Sequence, residues 1–318
     1  IFGSALAAEG IFAFALESGF LGVLLFGWNR VSPKVHYFST IMVFLGSMFS
    51  AVWIVVANSW QQTPAGFHIV GEGMKARAEI TNFWAMVFNP SSMDRLTHVW
   101  IGSFLSGAFL VLSVNAYYIL RKKHLEIAKP SFKIALFIAT FFSFAQLATG
   151  HKSADGVAVN QPAKLAALEG HYDSSAAADM YLLGWVDNKN QKVTGLKIPG
   201  GLSFLLHQDF KKPVTGLNAF DPNNRPTQVN AIFQVYHIMI AIGMFLIALT
   251  AYASWLLYKG KLFEQKWLMH VFAWSVFLPQ IANQAGYRSA ASKCLPRSLG
   301  RRCQRSPWAV VSHIQVLK

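Results

Sequence analysis

Two carboxyl groups, Glu9 and Glu17, lie inside the first apolar stretch of the chain. On a helix, eight residues are just over two turns, about 12 Å of rise, so the two occupy related faces. A carboxyl group at membrane depth is costly and marks a functional path or a ligand. A pair at this spacing suits a proton relay, because carboxyl groups pass protons where water is scarce. The competing reading is a carboxylate near a helix end that reaches water, which Glu9 permits more easily than Glu17. Ser50 and Asn58 are polar positions in the next apolar stretch. They either line a hydrated path with Glu17 or bond to neighbouring helices.

A second constellation is His98 with Met239. Each is expected near the outer end of its own apolar segment. Together they can supply the two axial ligands of a low-spin haem, the methionine raising its potential. The chain has ten His and nine Met, so spacing alone argues weakly for this pair, and a Met in an apolar helix usually packs. His237, two residues before Met239, points to another face. It is either a polar neighbour or a competing ligand.

The third lies in a long polar segment, 151–229. Asn160-Gln-Pro reads as a turn that releases the chain into a short helix, 163–170, carrying Lys164 and Glu169. Five residues apart, they are not an ideal helical ion pair, yet they can present a cation and a carboxylate to one ligand. The alternative is a solvated surface helix. The run Ile198-Pro-Gly-Gly-Leu-Ser-Phe-Leu-Leu206 is too short to span a bilayer and lies at the interface or packs on this segment. We read the segment as a lid over a redox centre in the membrane, with Lys164 and Glu169 facing its substrate.

The elements that must hold these residues follow from composition. The chain has 318 residues, 53% hydrophobic and 13% charged, about half the charged fraction of a soluble domain. That composition excludes an ordinary soluble domain and points to an all-α, polytopic transmembrane helix bundle. Six segments are long and apolar enough to span: 2–27, 38–58, 96–120, 132–150, 230–257 and 268–286. Loops 28–37, 121–133 and 258–267 are basic, whereas 59–95 and 151–229 are balanced in charge. The positive-inside rule puts the three basic loops in the cytoplasm and the two long loops outside. The organisation expected is therefore four helices in 1–150, one long periplasmic loop at 151–229, two helices in 230–286, and a tail at 287–318. The net charge of +14 sits in short loops and in that tail, which argues against a nucleic-acid partner. Both cysteines, Cys294 and Cys303, lie in the tail without metal-type spacing. The chain opens inside an apolar run without an initiator Met and is expected to be a fragment.

The residues resemble subunit I of the cytochrome bd-type quinol oxidases. The match runs in order through Ala8-Glu-Gly, Phe14-Ala-Leu-Glu-Ser18, Phe26-Gly-Trp28, Gly46-Ser, Ser50-Ala-Val-Trp53, Val56-Ala-Asn58, Asn89-Pro90, His98, Lys164-Leu-Ala-Ala-Leu-Glu169, Ile238-Met239 and Leu278-Pro279. Pro199-Gly-Gly-Leu-Ser-Phe, Pro213-Val-Thr-Gly-Leu217 and Pro279-Gln-Ile-Ala-Asn-Gln-Ala-Gly286 look like the short-loop, cyanide-insensitive branch. The resemblance implies a multi-pass subunit of the bacterial cytoplasmic membrane, paired in the bilayer with a second subunit. It implies oxidation of quinol at the outer face and reduction of dioxygen to water. It implies three haems: a low-spin haem b, a high-spin haem b, and a haem d or further haem b. By the same resemblance, His98 and Met239 are the axial ligands of the low-spin haem, and Lys164 and Glu169 contact quinol. Glu9 and Glu17 are the proton-route carboxylates, with Ser18, Ser50 and Asn58 beside them. Some members carry Arg where His237 stands.

Two features depart from the family pattern. The family's N-terminal His ligand would precede Ile1. After Gly286 the family continues to a Glu haem ligand, whereas here 287–318 holds seven basic residues and no acidic one. The expected cause is a reading-frame or assembly error, or an incomplete gene model. The alternative function is a proton- or cation-coupled transporter without haem, using Glu9, Glu17 and Asn58. A third reading is a membrane cytochrome that only passes electrons.

Overall fold

A computed structural model describes residues 3, 7, 9–71, 77–222, 225, 226 and 228–290. The tail readings, including Cys294 and Cys303, lie outside these residues. The chain forms two compact units, one ending at Leu96 and the other beginning at Thr97.

The first unit holds α1 (Glu9–Phe26, opening with a π-helical turn over Glu9–Phe14) and α2 (Pro33–Trp60). Ser32 caps α2 by accepting from Val35 N, and Pro33 takes the first helical position, where a missing N–H costs nothing. A hairpin follows, β1 (Phe67–Val70) with β2 (Arg77–Ile80), then a one-turn helix α3 (Phe83–Val87). Val56, Trp60, Ala78, Met86 and Val87 form their shared core. The unit closes with the start of α4 (Ser92–Leu120), whose remainder belongs to the second unit.

The second unit continues with α5 (Leu125–Asn160), a short α6 (Pro162–Leu168), a hairpin of β3 (Met180–Asp187) with β4 (Lys192–Ile198), and α7 (Gly201–His207). Then come α8 (Val229–Tyr258), α9 (Lys266–Trp274) and α10 (Phe277–Ala290). Its main core joins α4, α5, α8 and α9 through Phe109, Leu112, Phe132, Leu136, Leu246 and Phe272. Two polar pairs tie these helices together: Ser113 Oγ donates to Ala273 O, and Thr140 bonds Ser254.

Among the described residues five helices are long and apolar enough to cross a membrane: Glu9–Phe26, Pro33–Trp60, Ser92–Leu120, Leu125–Asn160 and Val229–Tyr258. The helical, multi-pass architecture expected from composition is present. Three details differ. The sixth expected span, 268–286, is broken into α9 and α10. Pro279 has no N–H, and its ring would collide with the Ser275 carbonyl in a continuous helix. The Ser275 Oγ instead turns back to Phe272 O at 2.8 Å. The fourth span does not end at 150: α5 continues to Asn160, so the first ten residues assigned to the loop are helical. The two hairpins were not foreseen.

Candidate functional site

Glu169 is placed by a helix stop. It is the C-cap of α6, and Gly170 follows with φ +64°. Gly170 N donates to Ala167 O and His171 N to Ala166 O, the paired closure that a left-handed residue after a helix allows. A Cβ at Gly170 would stand 2.7 Å from Val193 Cγ2, so only glycine fits under the β3–β4 hairpin. Ala166, Ala167, Tyr172, Val186, Leu217 and Phe233 pack around this turn. Lys164 is 6% exposed and Glu169 4%. The solvated surface helix is thereby overturned: the polar residues of α6 face the protein.

Tyr236, on α8, hydrogen-bonds the Glu169 carboxyl. The carboxyl Oε2 is buried and has no hydrogen-bond partner among the described residues. Burial pushes the Glu169 carboxyl up to about 7, against the smaller downward pull of the Tyr236 bond. It is thus a base poised near neutral pH with one oxygen open. Tyr236 was not picked out from the sequence; its only signal was its place one helical turn before Met239.

The hairpin is docked on α8 by a polar ladder. Asn230 Oδ1 accepts from Val186 N, Gln234 Nε2 donates to Gly184 O at 2.6 Å, and the His237 Nε2 lies 2.7 Å from Tyr181 O. Positions 230, 234 and 237 share one face of a helix. The His237 Nδ1 meets Phe233 O at 2.9 Å. Both ring nitrogens are turned to carbonyl oxygens, so His237 presents no lone pair to a metal. The competing-ligand reading fails, and the polar-neighbour reading stands.

His98 Nδ1 lies 3.0 Å from Thr149 Oγ1 on α5. The Thr149 hydroxyl hydrogen is spent on Ala145 O, so its oxygen accepts from His98, and Nδ1 carries the ring proton. The Nε2 lone pair then faces outward, where it receives the Gln146 Nε2 amide at 3.0 Å. This is the tautomer a metal-ligating imidazole needs, with the second nitrogen held by a polar partner. Gln146 Oε1 is left buried without a hydrogen-bond partner among the described residues. Small residues line the same region. A Cβ on Gly102 would stand 3.3 Å from Asn283 Oδ1, on Gly150 3.6 Å from His98 Cε1, and on Gly286 3.0 Å from Met239 Sδ. Gly102 is one turn from His98, and Asn283 one turn from Gly286, so α10 links the two candidate ligands. Among the described residues no three His, Cys, Asp or Glu converge as a bare ion would need. An imidazole whose Nε2 lone pair meets only the Gln146 amide, a thioether and a glycine-lined surround would suit a haem held by His98 and Met239. Gln146 and Thr149 escaped the sequence reading, although polar residues on one face of an apolar helix were the available signal.

In the first unit Ser50 Oγ donates to Glu9 Oε1 at 3.0 Å. Gly46, one turn earlier on α2, is where Glu17 packs: a Cβ there would stand 3.0 Å from Glu17 Cβ. Both carboxylates therefore belong to residues facing α2. Ser18 turns back to Phe14 O on its own helix. Asn58 does not join them; its Oδ1 accepts from Arg95 Nη1.

Residues 1–316 match the family described as cytochrome bd terminal oxidase subunit I. The chain belongs to that family. It is 32% identical over 321 residues to the cytochrome bd ubiquinol oxidase subunit 1 of Bacillus subtilis, covering 98% of this chain and 65% of that one. To the bd-II ubiquinol oxidase subunit 1 of Escherichia coli it is 28% identical, covering 98% and 71%. The solved bd oxidase of Geobacillus thermodenitrificans superposes with a TM-score of 0.79 at 27% identity, over 100% of this chain and 77% of that chain. The bd subunit I match runs through 287–316, the stretch that composition sets apart.

Proposed function

We propose that this chain is the quinol-oxidising, haem-carrying subunit of a bd-type terminal oxidase that reduces dioxygen to water, paired in the bilayer with the oxidase's second subunit. One observation carries the reading. Tyr236 ties the buried Glu169 carboxyl to α8 one turn before Met239, so the candidate quinol base is anchored on the helix that carries the candidate haem ligand. A quinol hydroxyl offered to Glu169 Oε2 would hand over its proton there, while the Tyr236 bond holds the carboxyl in place. Lys164, buried on the same short helix, is the companion cation for the quinol oxygen. Low-spin haem b, bound by His98 Nε2 and Met239 Sδ, supplies electron transfer when present, and a high-spin haem b with a haem d or further haem b supplies oxygen activation. Glu9 with Ser50, and Glu17 beside Gly46, form the proton route; Asn58 belongs with it by family likeness.

The basic stretches 28–37, 121–133 and 258–267, which flank the helix ends, support a cytoplasmic side for them and an outer, periplasmic side for the quinol segment. We also assign the chain to the short-loop branch. The alignment with the E. coli relative runs over 376 positions against 318 residues here, whereas that with the B. subtilis relative needs only 321.

The test is a reduced-minus-oxidised spectrum and quinol-driven oxygen uptake of the purified complex. Haem absorbance with uptake that fails in Glu169→Gln supports the reading. A complex without haem sinks it and leaves the transporter reading.

A further inference from the structure

We infer that Arg95, braced by Asn58 and Gln62, is the seat of a haem carboxylate, a propionate. This rests on the reading of the chain as a haem-carrying subunit. Arg95 sits in the first turn of α4, inside the first unit, and is half-buried. Its Nη1 donates to Asn58 Oδ1 at 3.3 Å and its Nη2 to Gln62 Oε1 at 2.8 Å. Asn58 and Gln62 are four apart at the end of α2, so they meet the guanidinium side by side. Two of its five N–H groups are used, both on neutral amide oxygens. Among the described residues no carboxylate pairs with it.

A guanidinium taken out of water costs several kcal/mol unless a charge opposes it. Here its surroundings are built rather than adventitious. Asn89 Nδ2 donates to Ser59 Oγ, Thr63 Oγ1 donates to Asn89 Oδ1 and bonds Ser91, and Ser92 Oγ donates to Asn89 O. Ser59, Thr63, Asn89 and Ser92 are buried. This network fixes the end of α2 against the Asn89-Pro90 turn and the start of α4, so the cation is held in one place before any anion arrives. Amide oxygens orient a guanidinium without neutralising it. The remaining fork of N–H groups matches a carboxylate, which arginine binds with two parallel bonds. In a subunit whose cofactors are haems, propionates are the carboxylates that must be neutralised inside the protein.

The experiment is a redox titration of each haem in the purified complex, comparing wild type with Arg95→Gln, Arg95→Lys and Gln62→Glu. A cation beside a propionate favours the reduced haem. Arg95→Gln should therefore lower one haem's midpoint, by roughly a tenfold change in its redox equilibrium, about 59 mV for a one-electron couple. Arg95→Lys should retain most of it. Gln62→Glu keeps the cation but offers it a competing carboxylate, so the same midpoint should fall even if Arg95→Gln does not assemble. Unchanged midpoints with full haem content in Gln62→Glu and in any assembled Arg95→Gln overturn the inference. So does loss of a partner subunit with midpoints intact, which assigns the cation to a partner's carboxylate. A wild-type complex without haem is a different failure and overturns the proposed function instead.

Discussion

The Tyr236 hydroxyl hydrogen-bonds the Glu169 carboxyl, while the carboxyl Oε2 stays buried with no hydrogen-bond partner among the described residues. One bond thus joins the helix stop at Gly170 to the helix that carries Met239. It holds a raised carboxyl in place without quenching it.

That carboxyl sets a pH dependence. With Glu169 as the proposed quinol base, turnover requires its ionised form, so kcat/KM should rise with pH through a midpoint of about 7. Tyr236→Phe removes the bond that favours the ionised form, and its rising limb should move to higher pH. Glu169→Gln should lose most turnover and leave the low-spin haem spectrum intact. For stability the sign is opposite. The folded pKa lies above the ordinary carboxylate value, so stability is greatest at low pH and falls as pH rises from about 4.5 to 7. Thermal unfolding against pH should show that fall in wild type and not in Glu169→Gln.

Gly170→Ala should cost about 1–3 kcal/mol, because a Cβ there meets Val193 at 2.7 Å and the φ is positive. Quinol oxidation should fall several-fold with haem content retained. Unchanged kinetics would mean the hairpin yields without moving Glu169.

Met239→Leu and His98→Ala should each abolish the low-spin haem signal. Thr149→Val removes the acceptor on His98 Nδ1 and should weaken haem retention by about 10- to 100-fold. Haem titration into the stripped protein measures it; wild-type retention in Thr149→Val would count against the assigned tautomer.

Glu9→Gln should slow oxygen uptake by at least about tenfold at unchanged haem content. Ser50→Ala removes the hydroxyl that donates to Glu9 Oε1 and should slow uptake less. Equal, wild-type rates in both would remove Glu9 from the proton route.

Much of the fold was legible because a bilayer imposes simple rules. Twenty apolar residues in a row declare a helix, and loop charge declares its direction. The broken last segment was readable in Pro279, had its missing N–H been weighed against segment length. The hairpins were not, since β3, paired with β4, is docked on α8 through Asn230, Gln234 and His237, and strand docking on a helix leaves no periodic signal in the strand itself.

The sequence by itself determined the apolar helices, the intramembrane carboxylates, the polar segment and the ordered motifs that mark the family. These depend on residue type and local spacing. Only the tertiary structure decided which polar groups are buried and what they meet. It buried Lys164 and Glu169 where local pattern favoured a wet helix, turned His237 to carbonyls, set the His98 tautomer through Thr149, and gave Asn58 to Arg95. Burial and pairing arise between segments far apart in the chain, and it is desolvation that turns an ordinary carboxyl into a base poised near neutral pH.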